Sequence, residues 1–152
     1  MKRSSENSSF VESAESGWTF METLIVIAIV LTLTSSVGFM AIRFIDKARV
    51  AAAKSQIDSF SVALESYYID MGRYPSEEQG LSALWEKPTV EPVSEKWGGP
   101  YMYREIPEDP WGNDYQYAAP GKQGLPFELL SLGADGKSGG DGNDSDISSW
   151  RE

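Results

Sequence analysis

Two groups of residues in this chain have types and spacings that could do chemistry. The first is Glu22 with Gly17 and Trp18. From Thr23 to Ile42 the chain runs for twenty residues without a charge, and as a helix that stretch spans roughly 30 Å, the hydrocarbon thickness of a bilayer. An ordinary secretory signal has a shorter apolar core and no acid at its head. A carboxylate drawn to the bilayer centre costs about 2.5–3.5 kcal/mol, so one at the edge of a span is usually retained for a partner charge. Cleavage after Gly17 would leave a positive α-amino group on Trp18, four residues from Glu22, and neighbouring copies could then pair one chain's amine with the next chain's acid. The bland alternative is an uncleaved signal anchor with Glu22 at the membrane interface.

The second group lies between Ser131 and Trp150, where Asp135, Asp141, Asp144, Asp146 and Asn143 are interspersed with Gly133, Gly136, Gly139, Gly140 and Gly142. Clustered carboxylates repel unless a cation sits between them, and glycine backbone can turn carbonyl oxygens inward to complete a shell of six to eight oxygens, which suits Ca²⁺. The likeness to an EF-hand is superficial: Asp135 and Gly140 match its first and sixth positions, Lys137 and Asp146 do not match its third and twelfth, and no helix precedes it. Composition alone leaves a solvated acidic tail equally open. Trp150 argues against the tail, because a large ring after the acids suggests a segment that folds back and anchors.

These residues need elements to position them. Arg43 to Met71 contains neither Pro nor Gly, and Ile57, Phe60, Leu64, Tyr67 and Met71 recur at helical spacing, predicting one helix from about Trp18 to Met71 with a buried face in its second half. Gly72 is placed to cap it, and Pro75 prevents its continuation. Leu81, Leu84 and Trp85 predict a short second helix. Segments Tyr101–Tyr103, Tyr115–Ala118 and Phe127–Leu132 read as strands separated by the turn signals DPWGND and APGKQG. The expected fold class is α+β: a long N-terminal helix packed on a small head with a three-stranded antiparallel sheet. Asp109, in the first of those turns, is expected to play no part in the acidic loop.

The chain's 152 residues carry no cysteine, no histidine and a net charge of −10. The charge excludes the usual nucleic-acid partner, and the missing residues exclude a cysteine nucleophile, the commonest general base and the usual structural zinc sites. Residues 1–17 read as an unstructured polar leader. Its Lys2 and Arg3 compete with Arg43, Lys47, Arg49 and Lys54 past the span, so charge alone leaves the topology open.

The order Gly17, Trp18, Thr19, Phe20, Met21, Glu22 and then an apolar span resembles the cleavage signal of type IV pilins and pseudopilins. The resemblance implies that a prepilin peptidase cuts after Gly17 and methylates Trp18, with Glu22 as the fifth residue of the mature chain and its assembly acid. It also implies an N-terminus in the cytoplasm and a head in the periplasm. The departures are a 17-residue leader, Trp18 in place of Phe or Met, and no kinking proline near Phe39, where Gly38 could supply flexibility instead. Farther on, YPSEEQGLSAL, WGGPY, DPWGNDYQY and SLGADGKSGG with SDISSW resemble, in order, the major pseudopilin family of type II secretion systems. That resemblance implies a Ca²⁺ site with side chains from Asp135, Asp144 and Asp146 and carbonyls from Leu132 and Lys137. It divides the chain into a cleaved leader (1–17), a transmembrane and assembly helix (18–42) and a periplasmic head (43–152). It implies a structural, non-enzymatic subunit at the inner membrane whose partners are copies of itself, minor pseudopilins, the inner-membrane assembly platform and the peptidase. The family usually has Asp-Ile-Gly-Asn-Trp where this chain has Asp146, Ile147, Ser148, Ser149 and Trp150. The alternatives are an adhesive or competence pilin, which commonly closes its C-terminal region with a disulfide, and a membrane-anchored hydrolase built on Asp135 and Asp144, for which no nucleophile stands out.

Overall fold

A computed structural model describes residues 12–150. Lys2 and Arg3 of the leader lie outside the described residues. The chain divides into two compact units, Met1–Phe44 and Ile45–Glu152.

One helix, α1 (Glu12–Met71), runs through both. Its start corrects the expectation of an unstructured leader, since residues 12–17 are already helical. Glu12, Ala14 and Glu15 are good helix formers, and extending a formed helix carries no nucleation cost. Gly38 and the residues around it stay helical. In the first unit the apolar side chains of α1 bury little: Phe20 is 69% and Leu33 63% exposed. Thr23, Thr32, Thr34, Ser35 and Ser36 turn their hydroxyls back onto carbonyls three or four residues earlier, so these polar groups are satisfied within the helix.

In the second unit α1 presents Ala53, Ile57, Phe60, Leu64 and Tyr67 to a core shared with Leu81, Leu84, Tyr115, Leu129 and Ile147. The predicted helical stripe is therefore the buried one. Phe60 and Tyr115 meet edge to face at 5.1 Å, and Tyr115 donates its hydroxyl to Gln56, tying the sheet's approach to the helix. Gly72, at φ 70°, ends α1 and donates its N–H to the Tyr68 carbonyl at 2.7 Å, the left-handed stop that glycine adopts most cheaply. Beyond it, burial followed by a hydrogen bond to Glu65 pushes the Tyr74 phenol up to about 12.

The sheet is antiparallel in the order β1 (Gln116–Ala118), β2 (Glu128–Ser131), β3 (Ile147–Ser148). Two of its strands are the predicted ones. The third is not: Tyr101–Tyr103 is a bend, because the N–H groups of Tyr101 and Met102 both go to the Leu84 carbonyl, at 2.8 and 3.1 Å, rather than to a ladder. Its place is taken by two residues from the acidic C-terminal segment, whose Ile147 enters the core at 6% exposed. The predicted second helix is a 3₁₀ turn, Leu81–Leu84, with Trp85 just past its end.

Candidate functional site

Within α1, Gly17 and Trp18 precede Glu22 by five and four residues on one continuous helix. Glu22 sits among Met21, Ile25 and Val26, whose side chains are exposed. Among the described residues no cation pairs with it. An 18-residue window of this helix has a mean hydropathy of 2.4, and none of it is buried within the chain. One charge thus stands on a helix that is apolar all round, and both features call for something outside the single chain.

The acidic loop leaves β2 and returns as β3. Gly133 (φ 67°) is packed so closely on the returning chain that a Cβ there would lie 2.9 Å from the Ser145 carbonyl and 3.0 Å from that of Asn143. Gly140 (φ 84°) repeats the arrangement, with a Cβ position 2.5 Å from the Asp144 carbonyl. Ala134 donates its N–H to the Asn143 carbonyl at 3.0 Å, closing the loop's neck. Only glycine permits both the positive φ and the close approach.

The predicted ligands are placed as follows. Asp135 is exposed, and its Oδ1 accepts from the Lys137 N–H at 3.0 Å, so Asp135 and Lys137 form one local turn. Asp144 is exposed in the 3₁₀ turn Gly142–Asp144. Leu132 is half-buried at the end of β2. Asp146 Oδ2 accepts from the Gly139 N–H at 3.0 Å, whereas Asp146 Oδ1 is buried without a donor. Asn143 Oδ1 is buried and unpartnered too. Among the described residues no three acidic side chains converge. Asp135, Asp144 and Asp146 therefore do not form a carboxylate cluster, and the unsatisfied oxygens belong to Asp146 and Asn143. A buried carboxylate oxygen without a donor carries a substantial desolvation cost, which a cation would offset.

The loop has a support that sequence reasoning missed. Asp109 is 5% exposed, with Oδ1 accepting from the N–H groups of Trp111 (3.0 Å) and Asn113 (2.8 Å) and Oδ2 from the Ser131 hydroxyl (2.6 Å). Asn113 Nδ2 donates to the Gly133 carbonyl at 3.0 Å, and the Gly133 N–H donates to Ser131 Oγ. The expectation that Asp109 stands apart from the loop is corrected: through Ser131 and Asn113 it anchors the point where the loop begins. The signal available was the DPWGND turn itself, since an Asp opening a turn commonly bonds the backbone beyond it. Near this network burial pushes the Tyr115 phenol up, with the Asp109 charge adding to it.

The type II secretion system protein G family matches residues 41–150. The chain belongs to that family. It is 45% identical over 136 residues to the type II secretion system core protein G of Pseudomonas aeruginosa, covering 90% of this chain and 95% of that protein. To the core protein G of Vibrio cholerae it is 41% identical over 137 residues, covering 90% and 92%. The crystal structure of the major pseudopilin from the type 2 secretion system of enterohaemorrhagic Escherichia coli superposes with a TM-score of 0.56 at 38% identity, over 69% of this chain and 89% of that one. The chain is thus a major pseudopilin by family, and the long helix with a three-stranded antiparallel sheet is the fold it shares with that structure. The sequence resemblance to major pseudopilins holds.

Proposed function

We propose that this pseudopilin is a structural, non-enzymatic subunit of a periplasmic pseudopilus, cleaved after Gly17 by a prepilin peptidase, methylated on Trp18, and polymerised through α1. In this reading residues 1–17 are removed, 18–42 form the transmembrane and assembly helix, and 43–152 form the periplasmic head. The precursor spans the inner membrane with its N-terminus in the cytoplasm. Minor pseudopilins and the inner-membrane assembly platform are its other partners. The observation that carries the reading is the apolar helix that buries none of itself in its own chain: lipid before assembly and neighbouring helices after it supply what the monomer lacks. Glu22 then meets the next chain's new α-amino group, and the pair lowers the cost of burying either charge.

In the head, Asp146 and Asn143 supply unsatisfied oxygens that fit a hard cation. Asp135, Asp144 and the carbonyls of Leu132 and Lys137 are the remaining candidate donors for Ca²⁺. A bound ion would hold the neck at Gly133 and keep β3 against β2.

Two measurements test the assembly reading. Intact-mass analysis of the membrane form will show loss of residues 1–17 and a gain of one methyl group; a full-length mature chain would refute the cleavage. Glu22→Ala will insert and be cleaved as before, because the span is unchanged, but its crosslinked multimer ladders will be strongly depleted. Normal ladders in that variant would rule out the charge pair.

A further inference from the structure

The core-facing side of the sheet carries Tyr117, Leu129 and Ile147. Pairing of Leu130 with Gln116 and Ser148, and of Glu128 with Ala118, puts these other five residues together on the opposite face. That face is hollow rather than flat. One cavity of about 200 Å³ is lined by Leu125, Leu130, Ser148 and Trp150 among others, and a second of about 110 Å³ is lined by Gln116 and Ala118. Both share Lys122, Glu128 and Leu130, so they form one groove across the three strands.

Two features mark the groove as incomplete. Ser148 is only 9% exposed, and its hydroxyl has no hydrogen-bond partner. Glu128 accepts from the Lys122 backbone N–H at 3.3 Å and faces Lys122 Nζ at 3.7 Å, beyond hydrogen-bond length, and the Lys122 side chain is 83% exposed, so the ion pair is loose. The complementary feature lies elsewhere on the same head. Tyr103 is fully exposed, so it cannot be seated in its own groove, and exposed Arg104 follows it. An aromatic ring wholly in water next to a guanidinium has the composition of an interface anchor.

We propose that the Tyr103–Arg104 tip of one head docks in the outer-sheet groove of a neighbouring copy. The ring covers Leu130 and Trp150, and Arg104 faces the carboxylate of Glu128. Tip and groove are different surfaces, so the contact is heterologous and propagates into an open helical array rather than a closed dimer. The inference rests on the polymer reading above and assigns its head-to-head contact.

The chain has no cysteine, so pairs can be introduced cleanly. Lys122 lines the groove with its side chain 83% exposed. In cells assembling the full chain, Glu105→Cys, at an exposed residue beside the Tyr103–Arg104 tip, combined with Lys122→Cys will give an oxidant-dependent ladder of dimers and higher multimers, while each single variant will not. Tyr103→Ala, which removes no internal contact, will lower fibre yield severalfold with the head's melting temperature unchanged. If the double variant gives no disulfide ladder while an amine-reactive crosslinker shows wild-type multimers, the docking is wrong and the fibre reading stands. Unchanged fibre yield in Tyr103→Ala would overturn the docking too. Absence of multimers in the wild type under the amine-reactive crosslinker would instead refute the polymer reading, and the docking with it.

Discussion

Calcium is expected to raise the melting temperature of the head, with Asp146 deciding whether it does. This is the expected outcome for a soluble head beginning at Ile45, the start of the second compact unit, measured by thermal unfolding in Ca²⁺ and in chelator. A ligand that binds only the folded state adds RT ln(1 + [L]/Kd), about 2.7 kcal/mol at a hundredfold excess over Kd, which corresponds to a shift of about 10–20 °C for a domain of this size. Magnesium will substitute poorly, because it demands a tighter octahedral shell than a glycine-rich loop readily supplies. The orphan Oδ1 of Asp146 makes the prediction sharper than simple loss of binding. In chelator, Asp146→Asn keeps an acceptor for the Gly139 N–H and removes the orphaned carboxylate oxygen, so it should be about as stable as wild type. In calcium it should be clearly less stable. Asp141→Ala, at an exposed residue whose side chain caps nothing, should leave the shift intact. Identical melting of wild type with and without calcium would return the loop to an apo structure and remove the metal from the reading.

The second large effect is expected at Asp109. Asp109→Ala leaves the Ser131 hydroxyl and the N–H groups of Trp111 and Asn113 without their shared acceptor in a buried site. Hydrogen bonds to a charged group contribute about 1.5–3 kcal/mol each, and stranded buried donors carry a further penalty. A loss of about 3–5 kcal/mol is the expected total, because the three bonds share one carboxylate and are not additive. Asp109→Asn should fall between, keeping Oδ1 as an acceptor while turning an amide toward Ser131. The loop begins at the Gly133 carbonyl held by Asn113, so Asp109→Ala should also weaken calcium binding, read as a smaller calcium shift than wild type shows. A melting temperature within a few degrees of wild type would show that the network contributes nothing.

The long elements of this molecule were legible because they rest on repetition. Ile57, Phe60, Leu64 and Tyr67 announce a buried helical stripe by spacing alone, and the same four side chains are at most 2% exposed. Gly72 and Pro75 mark the helix end because few residues reach a left-handed φ cheaply and none lacks an N–H but proline. The strand at Ile147–Ser148 was illegible for the opposite reason: two residues carry no period, and their neighbours are Asp and Ser, which signal a turn. Tyr101–Tyr103 has strand composition, but the N–H groups of Tyr101 and Met102 are spent on the Leu84 carbonyl, a contact across at least seventeen residues that composition does not report.

The site divides along the same line. The roles proposed for Gly17, Trp18 and Glu22 rest on order along one helix next to a twenty-residue apolar run, which the sequence itself displays. The acidic loop could be found by composition, but not which of its acids matters. Burial leaves unsatisfied oxygens on Asp146 and Asn143 and not on the exposed Asp135, Asp141 and Asp144, and it draws in Asp109 from a turn more than twenty residues away. The sequence by itself determined what depends on local periodicity and residue order: the helix, its stop, the apolar span and its acid. Only the tertiary structure decided which polar atoms lose their water, because desolvation is set by what folds over a group rather than by what stands beside it in the chain.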